Sequence, residues 1–285
     1  MATGMKDIKN RITSVENTMQ ITKAMELVAS SKLRKAKDKA EKSKPFFDIL
    51  YDTMVRIASA KTKQLSSVYV KPRKEKKAGF VIIGGDKGLA GGYNTNIFRK
   101  AEEKMSGREV CVLPIGKKAY EYFRKKGYPI VKRFENIPEE VEKVQVVDIV
   151  DTVIELYKNK EIDELYVIYT EFVSALTQIV KIKKLLPLYL KPRELEEEEY
   201  ETVQYDPSPT AVFDNIVPLY LEGIFYAAVL ESYASEQGAR RIAMESATDN
   251  AGEMIEQLNL QYNRARQWNI TQELSEIVSG AEALK

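Results

Sequence analysis

The chain has 285 residues, with 44 Lys and Arg against 42 Asp and Glu, one Cys and no His. A net charge of +2 does not support a general nucleic-acid or acidic-lipid binder, and the missing histidines remove the commonest general base and metal ligand. Cys111 alone cannot build a disulfide framework or a C-x-x-C metal or redox site, which suits a reducing compartment. With no apolar run of about 18 residues and no apolar signal core after Met1, an exported or membrane-embedded enzyme is not expected.

All ten prolines lie between Pro45 and Pro218, which predicts two long helical ends, because proline lacks the amide donor and clashes with the preceding turn. The first region, residues 1–60, carries Ile8, Ile12, Val15 and Met19 at 4-3-4 spacing, and Ile21, Met25 and Val28 extend the apolar stripe. So narrow a stripe between charged flanks predicts a coiled-coil seam. Lys32–Lys44 holds seven basic residues, but the interspersed Asp38 and Glu41 favour a solvated helix face over a phosphate contact.

The middle region, 76–193, contains nine of the fourteen glycines and alternates short apolar runs with amphipathic ones. Strands are predicted at Ala78–Ile83, Glu109–Ile115, Pro129–Phe134 and Glu164–Tyr169, and an extended final strand over Leu176–Leu190. Helices are predicted at Asn94–Met105, Lys117–Lys126 and Pro138–Lys158. Gly84–Gly92 follows the first strand and precedes a helix, where an α/β fold can cradle a phosphate. Its spacing matches neither the P-loop nor the dinucleotide fingerprint, so a tight turn presenting Asp86 and Lys87 outward is the expected reading. Cys111, in a strand, reads as core packing. The glutamate-rich residues 194–201 read as a solvated linker.

The last region, 208–285, opens on Ser208-Pro209, a suitable cap and first helical position; Pro218 predicts a kink or restart. Ser235, Ala239, Ala243, Ala247 and Ala251 form a small-residue ridge for close helix approach, and Ile270, Leu274 and Ile277 resume an apolar stripe. Trp268, on a helix too thin to bury it alone, marks a contact surface. Residues 1–44 hold eleven basic and five acidic residues, whereas 219–285 hold five basic and ten acidic. The two ends are therefore expected to pair, antiparallel if the middle is compact. The fold class expected is α/β plus a long antiparallel two-helix coiled coil, with a small Rossmann-like sheet domain inserted between the helices. No carboxylate pair reads as an acid–base couple, and no cofactor or metal ligand set is present in the pattern.

Three separated motifs then carry a resemblance. Thr18-Met19-Gln20-Ile21-Thr22-Lys23-Ala24-Met25, Asp86-Lys87-Gly88-Leu89, and a C-terminal set of Ala234-Ser235-Glu236-Gln237 with Ala239-Arg240, Ala247-Thr248-Asp249-Asn250-Ala251 and Ile270-Thr271-Gln272-Glu273-Leu274-Ser275-Glu276-Ile277 occur in the order found in the gamma subunit of F-type ATP synthase. Gly85 and Ala90 stand where that family has Ser and Cys. The resemblance implies a rotary central stalk without a catalytic site or cofactor, peripheral on the cytoplasmic face of a bacterial membrane and part of a proton-translocating complex, in which it transmits c-ring rotation to the beta subunits and couples proton flow to ATP synthesis or hydrolysis. Its implied partners are the alpha and beta subunits, the epsilon subunit and the c-ring. It also implies beta-subunit contacts at Met25, Asp86, Lys87, Arg266, Gln267 and Thr271, with Met25 and Arg266 near the same beta loop, and a c-ring contact at Tyr205 and Asp206. The thiol-bearing insertion of chloroplast members is absent. A nucleotide-binding α/β enzyme and a free-standing coiled-coil scaffold are the competing readings.

Overall fold

A computed structural model describes residues 2–59, 65–74, 77–135, 143–190 and 205–283. In chain order the elements are α1 (Ala2–Ser59), β1 (Ala78–Ile83), α2 (Tyr93–Met105), β2 (Val110–Ile115), α3 (Lys117–Lys125), α4 (Lys143–Lys158), β3 (Glu164–Phe172), β4 (Gln178–Leu186) and α5 (Pro209–Ala283). The chain divides into two compact units, one made of Met1–Ala29 with Arg240–Lys285 and the other of Ser30–Ala239.

The larger unit is built on a four-stranded sheet of order β2-β1-β3-β4, in which β1 pairs parallel with β2 and β3, and β3 pairs antiparallel with β4. This order differs from the 3-2-1 arrangement of a dinucleotide-binding half. β1 and β2 are buried along their whole length, so their runs are apolar on both faces. Alternate side chains serve two cores. Val81, Ile83, Leu113, Leu165 and Val167 join Ile149, Val153 and Tyr157 of α4. Phe80, Ile82, Val112 and Ile168 join Ile97 and Phe98 of α2 and Phe123 of α3.

The first of these cores also takes Met54 and Ile57 from α1 and Phe213, Val217, Leu221 and Phe225 from α5. By length and composition α5 is apolar enough to cross a membrane, but Phe213, Val217, Leu221 and Phe225 near its start are buried in the sheet core, while Leu219 is exposed. Ser208 caps the helix, its Oγ accepting the Ala211 amide at 3.2 Å. α5 continues through Pro218 without a restart, as α1 does through Pro45.

Two strand expectations are corrected. Pro129–Phe134 is not a strand: it makes only isolated bridges, Val112 to Ile130 and Ile115 to Phe134. β3 runs past Tyr169 to Phe172, beyond the last β1 pairing at Ile168. There α5 replaces the missing neighbour: the Thr170 amide donates to Ser232 Oγ at 3.0 Å, and the Ser235 hydroxyl donates to the Thr170 carbonyl at 3.1 Å. Ser235 of the small-residue ridge thus lies against a strand. The expected Pro138 start of α4 falls outside the described residues, as does the 194–201 linker.

In the smaller unit the two helix segments are antiparallel. Thr22 and Thr248 share a hydroxyl hydrogen bond of 2.8 Å, and the Asn269 amide lies 3.0 Å from Met5 Sδ. The covered positions on α1 include Ile8, Ile12, Val15, Met19, Thr22, Glu26 and Ala29 in 4-3 alternation, with Met25 half-buried at their edge. Ile21 and Val28, expected in the seam, lie outside it: Ile21 is 61% exposed where Thr22 is 8% exposed. On α5 the matching positions are Ala251, Ile255, Leu258, Tyr262, Ala265, Asn269 and Gln272. Ile270, Leu274 and Ile277 are exposed, so their 4-3 spacing is not the seam. Met5 lies in the first turn of α1, so α5 beyond Asn269 has little of that helix to pack against.

Candidate functional site

The glycine loop is shaped by what surrounds it. The Gly84 amide bonds the Ile115 carbonyl at 2.8 Å, and the Lys118 amide bonds the Gly85 carbonyl at 3.0 Å. The Gly85 amide donates to Asn94 Oδ1 at 2.9 Å, tying the turn to the start of α2. Gly116 has φ +94°, and a Cβ there would lie 2.3 Å from the Gly84 carbonyl oxygen, so this crossing admits only glycine.

Asp86 and Lys87 do not form an outward-facing pair. Asp86 turns inward, and its Oδ1 accepts the Lys117 amide at 2.8 Å, at the N-terminus of α3. Its Oδ2 is buried without a hydrogen bond. Lys87 is exposed, and Leu89 close to it is 66% exposed with φ +60°. A leucine in the left-handed region costs about 1–2 kcal/mol, so the loop holds an unfavourable conformation at an exposed residue.

The loop is a poor phosphate cradle. A Cβ at Gly85 would lie 2.9–3.1 Å from the carboxylate atoms of Glu236, a buried residue of α5. An anion would meet that negative charge as well as Asp86. The cleft of about 370 Å³ between α1, β4 and α5 places Glu41, Asp48 and Glu231 beside Lys183, again unsuited to phosphate. Among the described residues no group of three or more His, Cys, Asp or Glu could hold a metal ion. Burial pushes the Cys111 thiol up to about 11, consistent with its place in the sheet core.

The remaining candidates fall into three groups. Met25 is half-buried beside the Thr22–Thr248 contact, whereas Arg266, Gln267 and Thr271 are exposed around the Met5–Asn269 contact. At ~1.5 Å per residue those levels differ by roughly 25–30 Å, so the structure does not bring Met25 to the level of Arg266. Trp268, Ile270 and Leu274, on the same stretch of α5, add exposed apolar area. Tyr205 packs against the sheet core, and Asp206 beside it is exposed. Glu236 belongs to the Ala234–Gln237 stretch that resembles the family, but nothing in its spacing places it at the loop, and only the fold brings it to Gly85.

A helical pair bearing exposed apolar and cationic groups, joined to a small α/β unit whose glycine loop is lined by the carboxylates of Asp86 and Glu236, suits the class of proteins that work by contact. Comparison with known proteins agrees. A family model described as ATP synthase matches residues 4–284. The ATP synthase gamma chain of Alkaliphilus metalliredigens is 48% identical, covering 100% of both chains. A gamma chain described as sodium ion specific, from Acetobacterium woodii, is 43% identical, again over 100% of both. Among solved structures, the rotor of Euglena gracilis mitochondrial ATP synthase matches with TM-score 0.69 at 19% identity, covering 95% of this chain and 100% of that one. The central stalk and c-ring structure of the Tetrahymena thermophila enzyme matches with TM-score 0.61 at 25% identity, covering 80% and 99%. The chain belongs to the ATP synthase gamma-chain family, a non-catalytic subunit of that complex.

Proposed function

We propose that this chain is the turning central stalk of an ATP synthase. The paired segments of the smaller unit form an antiparallel coiled coil that lies within a ring of alpha and beta subunits. The α/β unit, with Tyr205 and Asp206, forms a foot on the c-ring and meets the epsilon subunit. The complex sits at the cytoplasmic face of a bacterial membrane. Rotation presents a different side of the helical pair to each beta subunit and so shifts which conformation that subunit populates. The observation that carries this reading is full-length similarity to gamma chains, joined to a helical pair whose apolar residues are left exposed on its outside.

Arg266 is suited to a charge-assisted bond with a carboxylate, and Gln267 and Thr271 extend the same contact surface. Met25, at its own level, touches a different part of the ring wall. Lys87 is the contact group of the loop, and Asp86 orients it by capping α3. The proposed coupling ion is the proton, and the groups that select it belong to other subunits. The test is reconstitution with alpha and beta subunits in vesicles that carry the membrane sector. ATP-driven ion uptake that requires this chain supports the reading, and uptake unchanged without it overturns it. Tight ATP binding by the isolated chain would favour a nucleotide-binding protein.

A further inference from the structure

We propose that Glu236 is a positioning residue for the Lys87 loop: its carboxylate, carried on α5, is the wall that sets where the turn after β1 stands. The contact is direct. Measured from an ideal Cβ at Gly85, Glu236 Cδ is 2.9 Å away, Oε1 3.0 Å and Oε2 3.1 Å, so the carboxylate occupies the place a side chain would take. Glu236 is only 4% exposed, so its carboxylate is packed against the loop rather than extended into water.

Its position is determined from three sides. One turn before and alongside it, Ser232 and Ser235 bond both backbone groups of Thr170, which locks the register of α5 on the end of β3. Two residues after, a Cβ at Gly238 would lie 3.1 Å from the Phe172 ring, so helix and strand are already in close contact there. The loop cannot yield on its far side either. Gly116 abuts the Gly84 carbonyl, and α3 holds the loop through the Lys118 amide to the Gly85 carbonyl and the Lys117 amide to Asp86 Oδ1.

The turn is therefore held between α3 and Glu236, and Lys87 and Leu89 project from it. A rotation or slide of α5 moves Glu236 and, through Gly85, the exposed end of the loop. The loop then reports the setting of the helix, which matters if, as proposed above, it touches a beta subunit. Only that consequence rests on the proposed function; the positioning itself does not.

The test uses the chain assembled with its alpha and beta subunits, read by hydrogen–deuterium exchange and by coupled ATP-driven ion uptake. Glu236→Ala is expected to speed exchange over residues 84–92 by about tenfold while the β1 and β3 amides stay unchanged. Glu236→Gln, which keeps the shape, is expected to restore most of the protection. Gly85→Ala places a methyl against the carboxylate and serves as the second variant should Glu236→Ala fail to assemble; it too should loosen the loop. Combined with Glu236→Ala it should do so by less than the two effects together, because the added methyl enters the space vacated. Unchanged loop exchange in both single variants, strictly additive effects, or a Glu236→Gln variant as loose as Glu236→Ala would overturn the proposal. A loosened loop with normal coupled uptake would keep the positioning role and remove the beta-subunit contact.

Discussion

The two units of this chain are stable for different reasons. The larger buries both faces of β1 and β2 and fills two cores with aromatic and branched side chains. The smaller has one thin seam, in which Thr22, Glu26, Asn269 and Gln272 take places that an ordinary coiled coil fills with apolar residues. Several large apolar groups, among them Ile21, Leu27, Trp268 and Leu274, are left outside the seam. A polar seam gives less burial but specifies register, because a misaligned hydroxyl or amide loses its partner. The lesson is that one chain can commit its apolar side chains to stability in one region and to an outward contact surface in another.

The contrast can be broken by experiment. The largest effect is expected in the sheet unit: Phe123→Ala should cost about 3–5 kcal/mol, since its ring is wholly buried among Phe98, Tyr122 and Tyr128. Chemical denaturation measures this, and a loss below half that value would mean that the second core is loosely packed.

Next comes an acid-sensitive contact in the same unit. Burial alone would raise the Glu164 carboxyl, but hydrogen bonds from Lys184, Arg108 and Tyr166 outweigh it and hold it below the usual range. Its stabilisation is therefore fully present above the ordinary carboxylate pKa and is lost as pH falls through the lowered folded value. Glu164→Gln should cost about 1–3 kcal/mol at neutral pH and flatten the acid limb of the stability curve. An identical limb in the variant would show that other carboxylates govern it.

For the smaller unit, Arg266→Ala with Gln267→Ala should lower coupled ion uptake by about tenfold, the scale of one charge-assisted bond, with circular dichroism unchanged. Normal uptake would remove these residues from the contact surface. Smaller still, Thr22→Val should cost about 1 kcal/mol and speed amide exchange near Thr22 and Thr248, leaving the sheet amides alone. Ile21→Ala, next to it, should stay within about 0.5 kcal/mol. If the isoleucine mattered more to stability than the threonine, the seam assignment would be reversed.

Much of the sheet unit was legible from composition. AGFVII at Ala78–Ile83 reads as a strand because apolar residues on both faces leave few other choices, and the helices at Tyr93–Met105 and Lys117–Lys125 follow from their amphipathic spacing. Pro129–Phe134 misled because a short apolar run beside a strand can bridge it twice without laddering. The Asp86–Lys87 pair was visible as charge but not as two roles: which of two adjacent side chains turns inward depends on where the amide of Lys117 stands, 31 residues on from Asp86.

By itself the sequence determined the two helical ends, the alternation between them and, through three ordered motifs, the family. Those are matters of local spacing and residue identity. The tertiary structure alone decided that Thr22 and Ala29, rather than Ile21 and Val28, face the partner helix, that serines of α5 complete the edge of β3, and that a glutamate stands at Gly85. An apolar stripe on a helix looks the same whether it meets a partner or faces outward. The distinction is made by the opposing side chains, which lie far along the chain, as Thr248 does at 226 residues from Thr22.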